Sequence, residues 1–202
     1  MVNEIDRRLS AGNASFWAYR KLWVNRGISE KIKVRIYAAV VRSILLYASD
    51  SWCLSVADKR RLEIFYRRKV CWITGVKWNH KISNSELYKR VEIPQIDAII
   101  QQRRWRWFGH VLRMDQSRWP IRMLESDGRD NDSKKRKRGA PSKTWKREMM
   151  KFSWEETDWV KANVRKPHWK KWCSGEWIKT MKDLAHDRSL WRGLVVERVS
   201  NV

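Results

Sequence analysis

Three times in this chain a serine is followed, three residues on, by an acidic residue: Ser55 with Asp58, Ser83 with Glu86, and Ser153 with Glu156. A serine oxygen that takes up an orphan backbone N–H, answered by a carboxylate three positions later, marks the first turn of a helix. The apolar residues behind the first two boxes recur at three- and four-residue intervals, and no stretch alternates with period two. These signals exclude a sheet protein and predict an all-α fold.

Helices are then expected along most of the chain. Ile5, Leu9, Phe16, Trp17 and Trp23 share one face of a helix that ends near Gly27, with Gly12 weakening its middle. Ser29 offers a cap oxygen to a second helix, whose apolar stripe is Ile32, Ile36, Val40, Ile44 and Leu45. From Ser55, the residues Leu62, Phe65, Lys69, Trp72 and Ile73 carry the period to Gly75, and Lys59, Arg60, Arg61, Arg67 and Arg68 make the opposite face basic. The helix opened by Ser83 must stop before Pro94. A long helix follows from Gln95 to about Met114, with Ile96, Ile99, Ile100, Trp107 and Val111 on one side. Beyond it, Ser142 can cap a helix bearing Trp145 and Met149, Ser153 with Glu156 opens another that breaks near Pro167, and a last helical stretch covers about Gly175 to Val199.

Between Ser126 and Ser142 the periodicity disappears into Asp, Gly, Asn, Ser and a run of five basic residues. The expected organisation is a helical bundle over 1–125, a flexible basic linker over 126–142 and a smaller helical segment over 143–202. The chain has 202 residues, 43% of them hydrophobic, which is enough to bury a core.

The formal charge of +23 at pH 7 bounds the partners. A surplus of this size calls for a polyanion, and nucleic acid, RNA or DNA, is the natural one. A membrane surface fits less well, because the arginines are interleaved with large aromatics and do not form one cationic helix face. No apolar run approaches the roughly 20 residues that span a bilayer, and the N-terminal residues do not have the pattern of a signal peptide. An intracellular setting, nuclear or cytoplasmic, is expected. The 15 tryptophans are expected to serve mostly as core anchors, with about a quarter left to face bases or a partner.

Several chemistries find no foothold. Cys53, Cys71 and Cys173 are far apart and form no C-x-x-C pair, and His168 with Cys173 matches only the last two ligands of a CCHC knuckle. Asp58, Glu86 and Glu156 are used as caps, while Asp130 and Asp132 fall in the linker, where a fixed two-carboxylate metal site cannot be held. Phosphate-loop, nucleophile-elbow and zincin patterns are lacking. No cofactor, metal or catalytic residue is therefore implied, and the chain reads as a non-enzyme. His110 and His186 read as ordinary helix residues.

Two segments carry the binding expectation. Arg103, Arg104, Trp105, Arg106, Trp107, Phe108, Gly109, His110 and, a turn later, Arg113 alternate guanidinium groups with rings, so that phosphates could be forked while bases stack. The run Lys134, Lys135, Arg136, Lys137 and Arg138, with Lys143 beyond it, suits backbone attachment or nuclear import. Six neutralised phosphates would give a log–log salt slope of roughly −5 on duplex DNA.

Several ordered motifs then add up to a resemblance. Ser43-Ile-Leu-Leu-Tyr47-Ala-Ser-Asp-Ser-Trp52, the basic helix ending Cys71-Trp-Ile-Thr-Gly75, and Arg104-Trp-Arg-Trp107-Phe-Gly-His110-Val-Leu-Arg113-Met resemble the region downstream of the reverse transcriptase domain in LINE-type non-LTR retrotransposons. Gly139-Ala-Pro141-Ser-Lys-Thr-Trp145 is similar to that family's G-R-P-x-x-x-W stretch with Ala140 in place of arginine, and Asp187-Arg188-Ser-Leu-Trp191 to its closing D-R-x-x-W. The resemblance runs from about Asp6 to Val195, with 159–177 looking like an extra insertion.

The resemblance implies a place in a larger polyprotein, behind an endonuclease and a palm domain, so the palm is itself an implied partner. The first helices would correspond to the thumb that grips template and primer, and the remainder to a helical region that holds element RNA or target DNA. The family's paired-aspartate polymerase turn does not occur in this sequence. An RNA-directed DNA polymerase label would thus describe ancestry. The alternative is a stand-alone host protein that keeps the fold as a nucleic-acid-binding or protein-interaction module.

Overall fold

The computed structural model describes residues 2–125, 145–156 and 174–200, and every regular element among them is helical. In chain order these are α1 (Val2–Ala18), α2 (Arg20–Val24), α3 (Glu30–Leu45), α4 (Val56–Thr74), α5 (Asn84–Val91), α6 (Ile96–Leu112), α7 (Trp119–Glu125), α8 (Trp145–Glu156), α9 (Ser174–His186) and α10 (Arg188–Ser200), with short 3₁₀ turns at Ser49–Ser51 and Trp78–His80. The all-α expectation is met. No helix among the described residues is long and apolar enough to cross a membrane.

The chain divides into two compact units, the second spanning Arg104–Glu197 and the first taking the residues before and after it, so that one division falls between Arg103 and Arg104, inside α6. Residues 104–125 were expected to belong with the first helices. Their apolar side chains instead share a core with α8, α9 and α10: Trp105, Phe108, Val111, Ile121 and Leu124 pack with Met149, Trp177, Met181 and Trp191. The basic stretch 126–142, where a boundary was expected, lies outside the described residues.

In the first unit α1, α3 and α4 pack on one another, and α5 joins α3. The capping box of α4 is complete: the Ser55 hydroxyl accepts from the Asp58 N–H at 3.1 Å, and the Asp58 carboxylate accepts from the Ser55 N–H at 3.2 Å. Gly75 ends the helix in the left-handed region at φ 67°, where a side chain would be strained. Ser83 accepts from the Glu86 N–H at 3.2 Å and so opens α5. In the core, Tyr37, Tyr66 and Tyr88 follow one another at ring separations of 5.7 and 5.8 Å. The Tyr88 hydroxyl donates to Glu63 at 2.5 Å, and burial together with that carboxylate pushes the phenol well above its ordinary range.

Four expectations are corrected. The helix expected to run unbroken to Gly27 is interrupted at Tyr19, giving α1 and α2. On α3 the buried stripe is Val34, Tyr37, Val41 and Leu45, while Ile32 is exposed and Ile36, Val40 and Ile44 are half-buried. Strict four-residue steps drift by about 40° per step around a helix of 3.6 residues per turn, whereas steps of three, four and four stay over one line. Ser153 opens no helix. It sits buried inside α8, donates to the Met150 carbonyl at 2.9 Å and accepts from Trp177 Nε1 at 2.8 Å. Finally, the last stretch is two helices, because Asp187 stops α9 and caps α10.

Candidate nucleic-acid interface

The second unit carries a cleft of about 530 Å³. Three pieces of chain enclose it: the end of α6 with His110 and the Arg113 and Met114 that follow it, the turn from Asp115 to Arg118 ahead of α7, and the first turns of α10 with Arg188, Trp191 and Arg192. Four of its eight lining residues are arginines and one is a histidine.

Packing around Trp191 brings these pieces together. Its indole is 3% exposed, meets the Trp105 ring edge-on at 5.1 Å, and donates from Nε1 to the Trp105 carbonyl at 3.3 Å. The contact needs a glycine opposite. A Cβ on Gly109 would come within 2.5 Å of the Trp191 Cε2 atom, and nearer still to Nε1, so only an unsubstituted residue lets α10 approach α6 this closely. Asp187 fixes where α10 begins, accepting from the Ser189 and Leu190 N–H groups at 2.9 and 3.0 Å. Arg188 and Arg192 then follow on adjacent turns, one residue in register above the other.

The electrostatics favour an anion. Arg113 donates to the Ala185 carbonyl in the last turn of α9 at 3.0 Å, and burial, then the neighbouring charges of Arg188 and Arg192, push its guanidinium down from its ordinary value. Both nearby carboxylates are turned onto their own backbone. Asp115 accepts from the Ser117 N–H at 2.9 Å, and Asp187 from Ser189 and Leu190; in each case the hydrogen bonds to the serine hold the carboxyl below its usual value. Among the described residues no carboxylate forms an ion pair with Arg113, Arg118, Arg188 or Arg192. Arginines in a half-enclosed site with no acid to answer them are suited to forked contact with phosphate oxygens.

The residues expected to bind nucleic acid are dispersed by the fold. His110 and Arg113 line the cleft. Arg106 is exposed one turn earlier on the same helix, and the His110 ring lies 5.5 Å from that of half-buried Trp107. Arg103 is half-buried and donates to the Leu46 carbonyl at 2.5 Å. Two assignments are corrected. Arg104 is 3% exposed and pairs with Glu148 of α8 at 3.0 Å, and Trp105 is buried, because the helical period sets positions 104, 105, 108 and 111 towards the core. Lys134, Lys135, Arg136, Lys137, Arg138 and Lys143 lie outside the described residues.

The cleft also contains residues that sequence reasoning did not single out as binders: Arg118, Arg188 and Arg192. The available signal was Asp187-Arg188-Ser-Leu-Trp191, a cap followed by arginine and an anchoring ring. Nothing local to the sequence says that this turn stands beside Arg113. Comparison with known protein families, with curated proteins and with solved structures finds no match for this chain.

Proposed function

We propose that this chain is a non-catalytic nucleic-acid-binding segment, of the kind that follows the reverse transcriptase domain in LINE-type non-LTR retrotransposons. The observation that carries the reading is the cleft of Arg113, Arg118, Arg188 and Arg192, whose neighbouring carboxylates are spent on helix and turn caps. Phosphates entering it would offset both the desolvation of Arg113 and its repulsion by Arg188 and Arg192. The overall charge of +23 supplies long-range attraction, and the ordered motifs from Ser43 to Trp191 supply the family resemblance. In that setting the palm domain is a partner, and the segment acts in the nucleus or cytoplasm wherever element RNA meets its target.

The test is equilibrium binding of the purified chain to a structured RNA and to a DNA duplex across a salt series. Wild type should show a steep slope, roughly −5 on duplex if about six phosphates are met. Arg188→Gln combined with Arg192→Gln should flatten the slope by about 2 and weaken binding without regard to sequence, as lost phosphate contacts do. A double variant that keeps the wild-type slope on both polyanions overturns the reading.

A further inference from the structure

The first unit has a second cationic cleft, of about 370 Å³, between the C-terminal half of α4 and the segment that leads to α5. Arg67, Arg68, Lys77 and Lys81 line it, around an apolar patch that includes Val76 and Ile82, and no acidic residue takes part. Elsewhere on α4 two of the cations have acidic partners: Lys59 pairs with Asp97 at 3.0 Å, and Arg61 pairs with Asp6. Among the described residues Arg67, Arg68, Lys77 and Lys81 form no ion pair.

At this cleft stands Trp72. It is 39% exposed, an unusual state for the largest apolar side chain, and it is braced by Trp17 and Phe16 at ring separations of 5.3 and 5.5 Å with planes nearly perpendicular. Trp17 is itself 43% exposed. An indole held in place by other rings loses little freedom on stacking, which lowers the cost of binding a flat ligand. The volume lies in the range of small-ligand sites.

We propose that this cleft holds an unpaired nucleotide of a single strand, its base against Trp72 and the apolar patch and its flanking phosphates on Arg67, Arg68, Lys77 and Lys81. A single strand answers both features along its whole length: every nucleotide pairs a flat base with a phosphate, whereas an acidic peptide offers a ring only where its sequence happens to place one, and in a duplex the bases are already stacked on each other. The site is separate from the arginine cleft of the second unit and takes from the function proposed above only the class of ligand.

The experiment uses the whole chain with a short single-stranded oligonucleotide of about ten nucleotides, within the site sizes known for stacking grooves. One base is a photoreactive halogenated pyrimidine, and a duplex of the same sequence is measured in parallel. Irradiation should join the single strand to Trp72. Trp72→Ala should weaken single-strand binding about tenfold, the loss expected of one stacked base, with little change for duplex, and Trp72→Phe should retain most of the affinity. Arg67→Gln with Lys81→Gln should flatten the single-strand salt slope by about 1.4.

Circular dichroism reports whether Trp72→Ala keeps its helices. If it does not, the crosslink and the Arg67→Gln, Lys81→Gln pair decide. Crosslinks confined to other residues, or wild-type single-strand affinity and slope in these variants, overturn the site. So does competition by a polyglutamate peptide as strong as that by the single strand at equal charge, which would identify a protein partner. Arg188→Gln with Arg192→Gln should leave the Trp72 crosslink intact, so failure of the second-unit cleft and failure of this one are separate results.

Discussion

Gly109 and Gly193 are both helical glycines, yet their surroundings predict opposite responses to the same change. A methyl group on Gly109 overlaps the Trp191 indole, whereas nothing lies within 4 Å of the corresponding position on Gly193. Gly109→Ala should therefore destabilise the chain by about 1–3 kcal/mol through overpacking, and Gly193→Ala should stabilise it by about 0.5–1 kcal/mol through helix propensity. Denaturant midpoints measured side by side check the signs. At this scale the sequence was partly legible. The Arg104-to-Phe108 run announced arginines among rings, but Arg104 and Trp105 turn inward while Arg106 turns outward. An arginine's preference for water is a reliable guide only until a carboxylate partner such as half-buried Glu148 is in place, and that partner is remote in sequence.

At the scale of elements, the serine boxes that most constrain the fold divide into two kinds. Ser55 is a cap, so Ser55→Ala should cost about 1 kcal/mol and loosen the start of α4. Ser153 is an interior residue whose hydroxyl satisfies Trp177 Nε1, so Ser153→Ala should cost about 1–3 kcal/mol by leaving a buried N–H without its acceptor, while helix content by circular dichroism stays the same. Caps are local, so sequence finds them; whether a serine stands at a helix start or in its middle depends on how far the preceding helix runs. The seven residues of α7 escaped notice because two turns are too short for a period to register. Asp187 gives a third prediction. Its hydrogen bonds to Ser189 and Leu190 lower its folded value below that of the unfolded chain. Its support of α10 is therefore complete above the ordinary aspartate value of about 3.9 and is lost as pH falls through the lower folded value. Asp187→Asn keeps a capping side chain without the titration, so wild type should lose denaturant resistance below pH 4 more steeply than this variant.

For the molecule as a whole, charge works on folding and binding in opposite directions. With a formal charge of +23, added salt should raise the thermal midpoint by screening self-repulsion, while on the proposed function the same salt should weaken binding to nucleic acid. Thermal scans and binding titrations over one salt series should thus move apart; a midpoint that falls with moderate salt would show that ion pairs such as Lys31 with Glu92 and Arg90 with Glu30 outweigh the repulsion. Fold class was legible because helical period and caps are local. The division inside α6 was not, because the helix continues unbroken through Gln101, Gln102, Arg103 and Arg104, and only the partners met by Ile100 before them and Trp105 after them reveal two cores.

The contact between Gly109 and Trp191 places a steric condition on a site that neither residue needs to charge. A line of descent that fills position 109 loses the seat of α10, and with it the meeting of Arg113 with Arg188 and Arg192, although every arginine survives in the sequence. Position 109 can grow only where position 191 shrinks. The two sites should therefore drift as a pair, and a count of retained arginines overestimates how many related chains still bring those arginines together.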